Sequence, residues 1–592
     1  VTRREPEELS PVLWWVQGVL LVGAAGLLYS PLGVWLLVDH AVMAVAMLVV
    51  AAGAQARAGA SAPRRWEAGA VGALGLLGLA GLAMPVAVSW WWMGAFWLVV
   101  AFCELLAGPD RDDPVAMSLP VALWFAFAGV VTLTLPYRLG TDLALCSVVF
   151  LLVAGLSLVV RGVRLGRVGR AGKPSRRWVR RTAVAAQVAV LIVAVGGYAA
   201  TVTVASDFRQ GQQSVADFYR PPAGSAPAAP GAVIRTEPVE AASAHGSGRR
   251  VLYWSQDRNG RPTVSSGMVW TPVQGSAQGR PILDWTHGTV GLDPQCAPSR
   301  RDLPLQSMTW INHALDRGWV VAASDYAGAG GTAGPDGSEA YFVLADQARD
   351  ALNIARAARS MPGTGAGDQL TVFGASQGGG VALAAAQLAA AYTPELHLAG
   401  VAASAPAANV GRLLQDQPAD SLGSWWVGSM VVRSYAQAYP ATAPSAVLTD
   451  AARLRLPETS QAVCDSEPWL LLPRLVELNM LGTFFAHPPL SDPAWQQAFA
   501  ENRVSSMTPG VPVFLAQGLS DPLILPKYTA GLVRRYCAAG TAVTTDWMPG
   551  VSHDGSVQSG PAAIAWLADR VAGRPAPSSC AEPLPVTPDS NW

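Results

Sequence analysis

The stretch best placed for covalent chemistry is Gly374-Ala-Ser376-Gln-Gly378. It follows an apolar run, Gln369–Phe373, that reads as a strand, and it opens a small-residue segment, Gly379–Ala391, that reads as a helix. A strand, a turn of Gly-x-Ser-x-Gly and a helix together spell a nucleophile elbow. Glycines two residues either side of the serine relieve crowding in a sharp turn, and the helix N-terminus favours negative charge developing beside it. In a chain with 59 glycines the five letters alone would be a weak signal, and the flanking elements are what strengthen it.

A serine nucleophile needs a base, and the base needs an acid to orient it. After an elbow of this kind the chain order is Ser, acid, His. Pro512–Gln517 reads as a strand entering a loop that holds Asp521, and Thr541–Trp547 reads as the next strand, followed by a loop that holds His553. Both residues lie just past a strand's end, so both are expected at the same sheet edge as Ser376. Asp546 and Asp554 are rival acids, but Asp546 precedes the loop and Asp554 adjoins the histidine and points elsewhere, so Asp521 is preferred. His287 lies in Trp285-Thr-His-Gly-Thr-Val-Gly291, just after another strand pattern, and is expected to shape that loop rather than act as a base. An oxyanion hole would take one N–H from Gln377 and a second from Gly288 or Thr289. His40, His245, His313, His397 and His487 read as surface or packing residues.

The elements that must position these groups alternate. Strand patterns at Val251–Trp254, Val264–Thr271, Pro281–Trp285, Trp319–Ser324, Gln369–Phe373, Leu398–Ala403, Val513–Gln517 and Thr541–Trp547 are interleaved with helical patterns at Gln306–Asp316, Tyr341–Met361, Gly379–Ala391, Pro526–Ala539 and Gly560–Val571. Such alternation argues for an α/β fold with a mostly parallel sheet. Residues 405–510 break the rhythm: they are helix-rich and carry Trp425, Trp426, Trp469 and Leu470–Leu472, as a helical cap or lid would. The expected core is therefore 251–404 and 511–592, split by that cap. Residues 206–250, rich in Gly, Pro, Ala and Ser, read as a linker and the start of this domain.

The first 205 residues are written differently. Seven apolar segments lie between Pro11 and Ala205, each about the length that crosses a bilayer. Residues 1–205 hold 16 basic and 10 acidic residues, leaving 25 basic and 31 acidic in the remainder, so the formal net charge of zero is a cancellation. The basic run Arg161–Arg181 is expected to face the cytoplasm. That places the N-terminus inside and the catalytic domain outside, in an integral protein of the plasma membrane with no cleaved signal peptide and with membrane lipid as a contact. Topology and lipid contact account for the basic run better than nucleic acid does. Asp39 and His40 fall within a span and read as locally paired residues near the interface. Val1 leaves open a processed chain, a truncated one or a non-Met start. With 14% charged residues, well under the roughly 25% of an ordinary soluble domain, the composition excludes a disordered chain, a coiled coil and a nucleic-acid binder driven by bulk charge.

At this point the residues resemble a known family. Phe218-Tyr-Arg-Pro-Pro222, His287-Gly-Thr289, Cys296-Ala-Pro-Ser299, Gly318–Gly328, the Ser376 elbow, Asp521 and His553 together resemble the secretory lipases of the α/β-hydrolase superfamily, the group that includes the lipase A type of yeasts. The resemblance spans about residues 215–585 and leaves the seven-span region uncovered. It implies a triad of Ser376, Asp521 and His553, a helical lid over an acyl site, and hydrolysis of fatty-acid esters. Four cysteines outside the expected spans allow three pairings. The resemblance implies Cys296 with Cys464 and Cys537 with Cys580, both suited to an oxidising compartment. Cys103 and Cys146 fall in spans and read as small apolar fillers.

The expectation is thus a multi-span α-helical region joined to an α/β-hydrolase domain that acts as a serine ester hydrolase on an acyl-ester or lipid substrate. No cofactor, metal or nucleic acid is expected: there is no Cys/His cluster with zinc spacing, and Gly328-Ala-Gly-Gly331 lacks the spacing and the following Lys of a phosphate-binding loop. Acyl transfer to an envelope acceptor, or a transporter or sensor with a ligand-binding hydrolase-like domain, are the alternatives. Oligomeric state is not legible.

Overall fold

Strands covered on both faces read as nearly continuous apolar runs, and the middle of the C-terminal part is written this way. The computed structural model describes residues 216–239, 245–300, 310–332, 339–417, 421–460, 464, 483–553 and 558–590. The chain divides into two units, Val1–Phe208 and Arg209–Trp592, and the described residues all belong to the second.

Among the described residues nine strands form one sheet: β1 (Val233–Pro238), β2 (Gly246–Gln256), β3 (Pro262–Pro272), β4 (Arg280–Thr286), β5 (Val320–Ser324), β6 (Ala366–Ala375), β7 (His397–Ser404), β8 (Val513–Gly518) and β9 (Val543–Met548). Their order is β1-β2-β3-β5-β4-β6-β7-β8-β9. The pairs from β5 through β9 are parallel, and those that join β1, β2, β3 and β5 are antiparallel. The sheet is therefore mostly parallel, as the alternation of elements predicts.

The helices among the described residues are α1 (Ile311–Leu315), α2 (Leu344–Ser360), α3 (Gln377–Tyr392), α4 (Val410–Asp416), α5 (Leu422–Ala438), α6 (Asp450–Thr459), α7 (Pro493–Glu501), α8 (Pro526–Ala538) and α9 (Gly560–Val571). Successive side chains of a strand point to opposite faces. Val320 and Ala322, Leu370 and Val372, and Val513 and Leu515 accordingly pack with α2, α3 and α8. Val321 and Ala323, Phe373 and Ala375, and Phe514 and Ala516 pack with α1 and α9. That two-sided burial holds the strand ends, and the loops that follow them, in fixed register.

Between β7 and β8 the chain forms α4, α5, α6 and α7. Asn409, Ser421, Thr449 and Asp492 cap their N-termini through side-chain oxygens. Trp425 packs on Phe484 at 5.0 Å, and Tyr435 meets Trp495 and Phe499 at 6.0 and 5.0 Å between ring centroids. These rings are continuous with the α2/α3 side of the core. Trp469 and Leu470–Leu472 lie outside the described residues.

Two local readings differ from the structure. Within residues 206–250 the chain forms β1, and β2 begins at Gly246, ahead of the expected Val251. β1 is a half-buried edge strand ending in Pro238, so it lacks the apolar alternation that marks a strand covered by neighbours. The helix expected at Gln306–Asp316 is described only as α1, because residues 301–309 lie outside the described set.

The seven expected spans, Asp39, His40, Cys103 and Cys146 also lie outside the described residues. Among the described residues no helix is long and apolar enough to cross a membrane. The longest, α2 and α5, have 17 residues each, where a span needs about 20 mostly apolar ones.

Candidate active site

The parallel register brings three loops to one sheet edge. β6 ends at Ala375, opposite Ser404 of β7; Ser404 lies opposite Ala516 of β8, and Gly518 opposite Met548 of β9. Ser376 follows β6 directly, and Asp521 and His553 lie in the loops that follow β8 and β9. Ser376 sits between β6 and α3 with φ 56° and ψ −121°, a left-handed backbone that a residue with a side chain rarely adopts. The turn is held by its own backbone: Ser376 N–H donates to Ser404 O at 2.9 Å, and Ser376 O accepts from the N–H of Gly380 and of Ala407 at 3.1 and 3.0 Å.

Only glycine fits on either side of this turn. A Cβ on Gly374 would overlap the hydroxyl of Thr286 and the carbonyl of Gly378, and one on Gly378 would overlap the carbonyl oxygens of Thr286 and His287. Thr286, the last residue of β4, closes the arrangement by donating its hydroxyl to Gly378 O at 2.8 Å. The loop after β4 is thereby tied to the elbow.

His553 Nε2 lies 2.9 Å from Ser376 Oγ, and Nδ1 lies 2.7 Å from Asp521 Oδ2. Asp521 Oδ1 accepts from the N–H groups of Leu523 and Ile524 at 2.8 and 2.9 Å, so the carboxylate is fixed at both oxygens. Behind it Gln517 Nε2 donates to Oδ2 at 3.3 Å, and the Thr529 hydroxyl donates to Gln517 Oε1 at 2.6 Å. The structure thus brings Ser376, His553 and Asp521 into one hydrogen-bonded line. Asp546 lies on β9 and takes no part in it; Asp554 lies outside the described residues.

The loop after β4 reaches the serine. A Cβ on Gly288 would stand 3.8 Å from Ser376 Cβ, and Gln377 opens α3 directly after Ser376, with its side chain buried. Gly288 and Gln377 therefore flank the serine from two sides. Thr289 adjoins Gly288, and its hydroxyl lies 2.6 Å from the Tyr341 hydroxyl. His287 is buried against Tyr326, 4.4 Å between ring centroids, and its Nδ1 lies 2.7 Å from Gly288 O. Burial pulls its pKa down, which favours a neutral ring that shapes the loop. Tyr326, Phe342, Ser376 and Ala405 are the non-glycine residues with positive φ among the described residues. They follow β5, precede α2 and follow β6 and β7, which concentrates backbone strain around the site.

Residues 305–579 match the secretory lipase family. A Mycobacterium tuberculosis protein named "Probable inactive lipase" is 28% identical over 377 residues, covering 60% of this chain and 82% of that protein. Lipase A of Arthroderma benhamiae is 23% identical over 395 residues, covering 61% of this chain and 80% of that protein. Among solved structures, Candida antarctica lipase A is similar with a TM-score of 0.50 at 18% identity, over 61% of this chain and 88% of that one. The rice cell wall degrading esterase LipA of Xanthomonas oryzae has a TM-score of 0.49 at 19% identity, over 58% and 99%. The second unit is a lipase/esterase-type α/β-hydrolase. A match to secretory lipases also replaces the expected plasma-membrane placement.

In this lipase-like unit two disulfides are formed, Cys296–Cys464 and Cys537–Cys580. The first packs with Val290 and links the loop after β4 to the segment between α6 and α7. Several polar residues around the site are not legible in the sequence. Gln517 reads as an ordinary strand residue. Glu339 lies in Ser338-Glu-Ala-Tyr341, which carries no motif, and yet its buried carboxyl accepts from Gln377 Nε2 and Gln347 Nε2, both at 2.6 Å. Burial pushes its pKa up to about 8, against the lowering effect of those two amides. No sequence signal links Glu339 to Gln377, 38 residues away.

Proposed function

We propose that this chain is a serine ester hydrolase acting on acyl esters, with Ser376 as nucleophile, His553 as general base and acid, and Asp521 as the group that orients His553. The observation that carries this reading is the unbroken hydrogen-bonded line from Ser376 Oγ through His553 to Asp521. Ser376 Oγ attacks the ester carbonyl carbon as His553 Nε2 takes its proton, and the carbonyl oxygen becomes an oxyanion. The N–H of Gln377 and an N–H of Gly288 or Thr289 stabilise that charge. The intermediate collapses, His553 protonates the leaving alkoxide, and Ser376 is left acylated. Water activated by His553 then releases the acid and restores the serine.

Residues 405–510 serve in this reading as a cap that receives the acyl chain. Two disulfides and the secretory lipase match support an extracellular, oxidising setting.

The test uses the full chain and a fluorophosphonate probe, alongside hydrolysis of p-nitrophenyl esters of graded chain length. Labelling and turnover that vanish in Ser376→Ala are expected. Labelling equal in the wild type and Ser376→Ala would refute the nucleophile assignment. One relative bears a name that calls it inactive, which favours one second reading, a ligand-binding domain without turnover. Absence of both labelling and turnover in the wild type would select it.

A further inference from the structure

A five-residue segment ahead of α2 touches both sides of the oxyanion pocket. Its first residue, Glu339, is buried, with 1% of its surface exposed. Glu339 Oε1 accepts from Nε2 of Gln377, the residue after the nucleophile, and from Nε2 of Gln347 on α2. Two residues on, the Tyr341 hydroxyl meets that of Thr289 in the loop after β4. Phe342 holds φ 58°, and its carbonyl oxygen accepts from the Tyr435 hydroxyl of α5 at 3.1 Å. Leu344, which opens α2 directly after the segment, donates its N–H to Asn502 Oδ1 at 2.8 Å, just past α7. The segment is thus anchored to the helical insertion behind it and grips the pocket in front. The amide oxygens of Gln377 and Gln347 have no hydrogen-bond partner among the described residues, so Glu339 is what fixes both amides.

We propose that Glu339 and Tyr341 are positioning residues of the ester-hydrolysing site, holding Gln377 and Thr289, the two sides of the oxyanion pocket, at the spacing the transition state requires. This rests on the assignment of Ser376 as nucleophile. Oxyanion contacts are stronger in the transition state than with bound substrate, so loosening them lowers kcat and leaves KM nearly unchanged. Burial favours the protonated form of Glu339, and loss of that proton would put negative charge one side chain from the forming oxyanion. The groups that act on it are Asp350 and Gln347 of α2, Gln377 of α3 and Asp325 after β5; Tyr326 after β5 feels its charge in turn. Its neutral form is the one compatible with catalysis.

The experiment measures kcat and KM of the full-length wild type, Glu339→Ala, Glu339→Gln and Tyr341→Phe with a p-nitrophenyl acyl ester, from about pH 6 to about pH 9, and the rate of fluorophosphonate labelling of each. Complete loss of one oxyanion donor costs roughly 10²–10³-fold, so Glu339→Ala is expected to lower kcat about 10–100-fold with KM within about threefold. Tyr341→Phe should lower kcat several-fold in the same manner. Glu339→Gln keeps an acceptor for both glutamine amides and cannot ionise. It should restore kcat near pH 7 and abolish the fall in wild-type kcat above about pH 8.

Wild-type kcat in Glu339→Ala and Tyr341→Phe, a loss carried by KM, or the same alkaline fall in Glu339→Gln would each overturn the inference. If Glu339→Ala does not fold, Glu339→Gln and Tyr341→Phe decide it alone. A wild type that is labelled while the variants match it overturns the positioning role only. A wild type that is neither labelled nor active overturns the hydrolase assignment and this inference with it.

Discussion

Asp521 Oδ2 lies 2.7 Å from His553 Nδ1, and the Asp521 side chain is wholly shielded from solvent. Its other oxygen is occupied by the N–H groups of Leu523 and Ile524. In Asp521→Asn an amide NH2 must face either those backbone donors or the imidazole, and a donor then meets a donor. If the amide faces His553, the ring is held in the tautomer that presents an N–H to Ser376. We expect kcat to fall about 10⁴-fold with KM little changed. Ester hydrolysis by the full chain measures this, and a variant within tenfold of the wild type would remove Asp521 from the mechanism.

Gly378 has no room for a methyl group, because a Cβ there would overlap the backbone oxygens of Thr286 and His287. Backbone cannot yield as a side-chain end can. Gly378→Ala must therefore push α3 away from the end of β4, and the Thr286–Gly378 hydrogen bond with it. The expected cost is about 1–3 kcal/mol of stability, together with loss of fluorophosphonate labelling although Ser376 is still present. A folded Gly378→Ala chain labelled at the wild-type rate would show that the elbow tolerates the shift.

The convergence of Ser376, Asp521 and His553 is legible because each follows the end of a parallel strand, and parallel strands deliver their ends to one edge. The elbow is legible because strand, Gly-x-Ser-x-Gly and helix occur in sequence. Even so, α3 starts at Gln377, two residues ahead of the expected Gly379, since the sharp turn leads straight into the helix. β1 escapes notice because an edge strand needs no apolar alternation. Glu339 escapes notice for a different reason: its role comes from Gln347 and Gln377, brought to it by two packed helices, and a buried carboxyl with amide partners leaves no local pattern. The same holds for Gln517, whose partners Asp521 and Thr529 lie on a loop and on α8.

The two disulfides should contribute unequally. Cys296 and Cys464 are 168 residues apart in sequence, Cys537 and Cys580 only 43. A cross-link restricts the unfolded chain more as the loop it closes lengthens, which favours the first by about 1 kcal/mol within a typical total of about 2–5 kcal/mol per bridge. The first also holds the loop after β4, where Gly288 and Thr289 lie. The paired variant Cys296→Ala/Cys464→Ala is expected to lose more stability than Cys537→Ala/Cys580→Ala, and more kcat. Denaturant melts and ester hydrolysis of the two variants test the order, and the reverse ranking in both would contradict it.

Buried carboxyls should make stability fall as pH rises. Burial lifts the pKa of Glu339 from 4.5 to about 8 and that of Asp350 on α2 from 3.8 to about 7. In the unfolded chain each acid loses its proton near its ordinary value; in the folded chain each keeps it to the higher one. Between those values the folded state binds more protons than the unfolded state, so stability drops with increasing pH. The favourable contribution is complete below about pH 4 and is lost as pH climbs through about 7 to 8. Glu339→Gln removes one of the two titrations while keeping an acceptor for Gln347 and Gln377. Denaturant melts at about pH 5 and about pH 8 should show the wild type losing more stability between the two conditions than Glu339→Gln does. Equal losses would mean that Glu339 is ionised in the folded protein across this range.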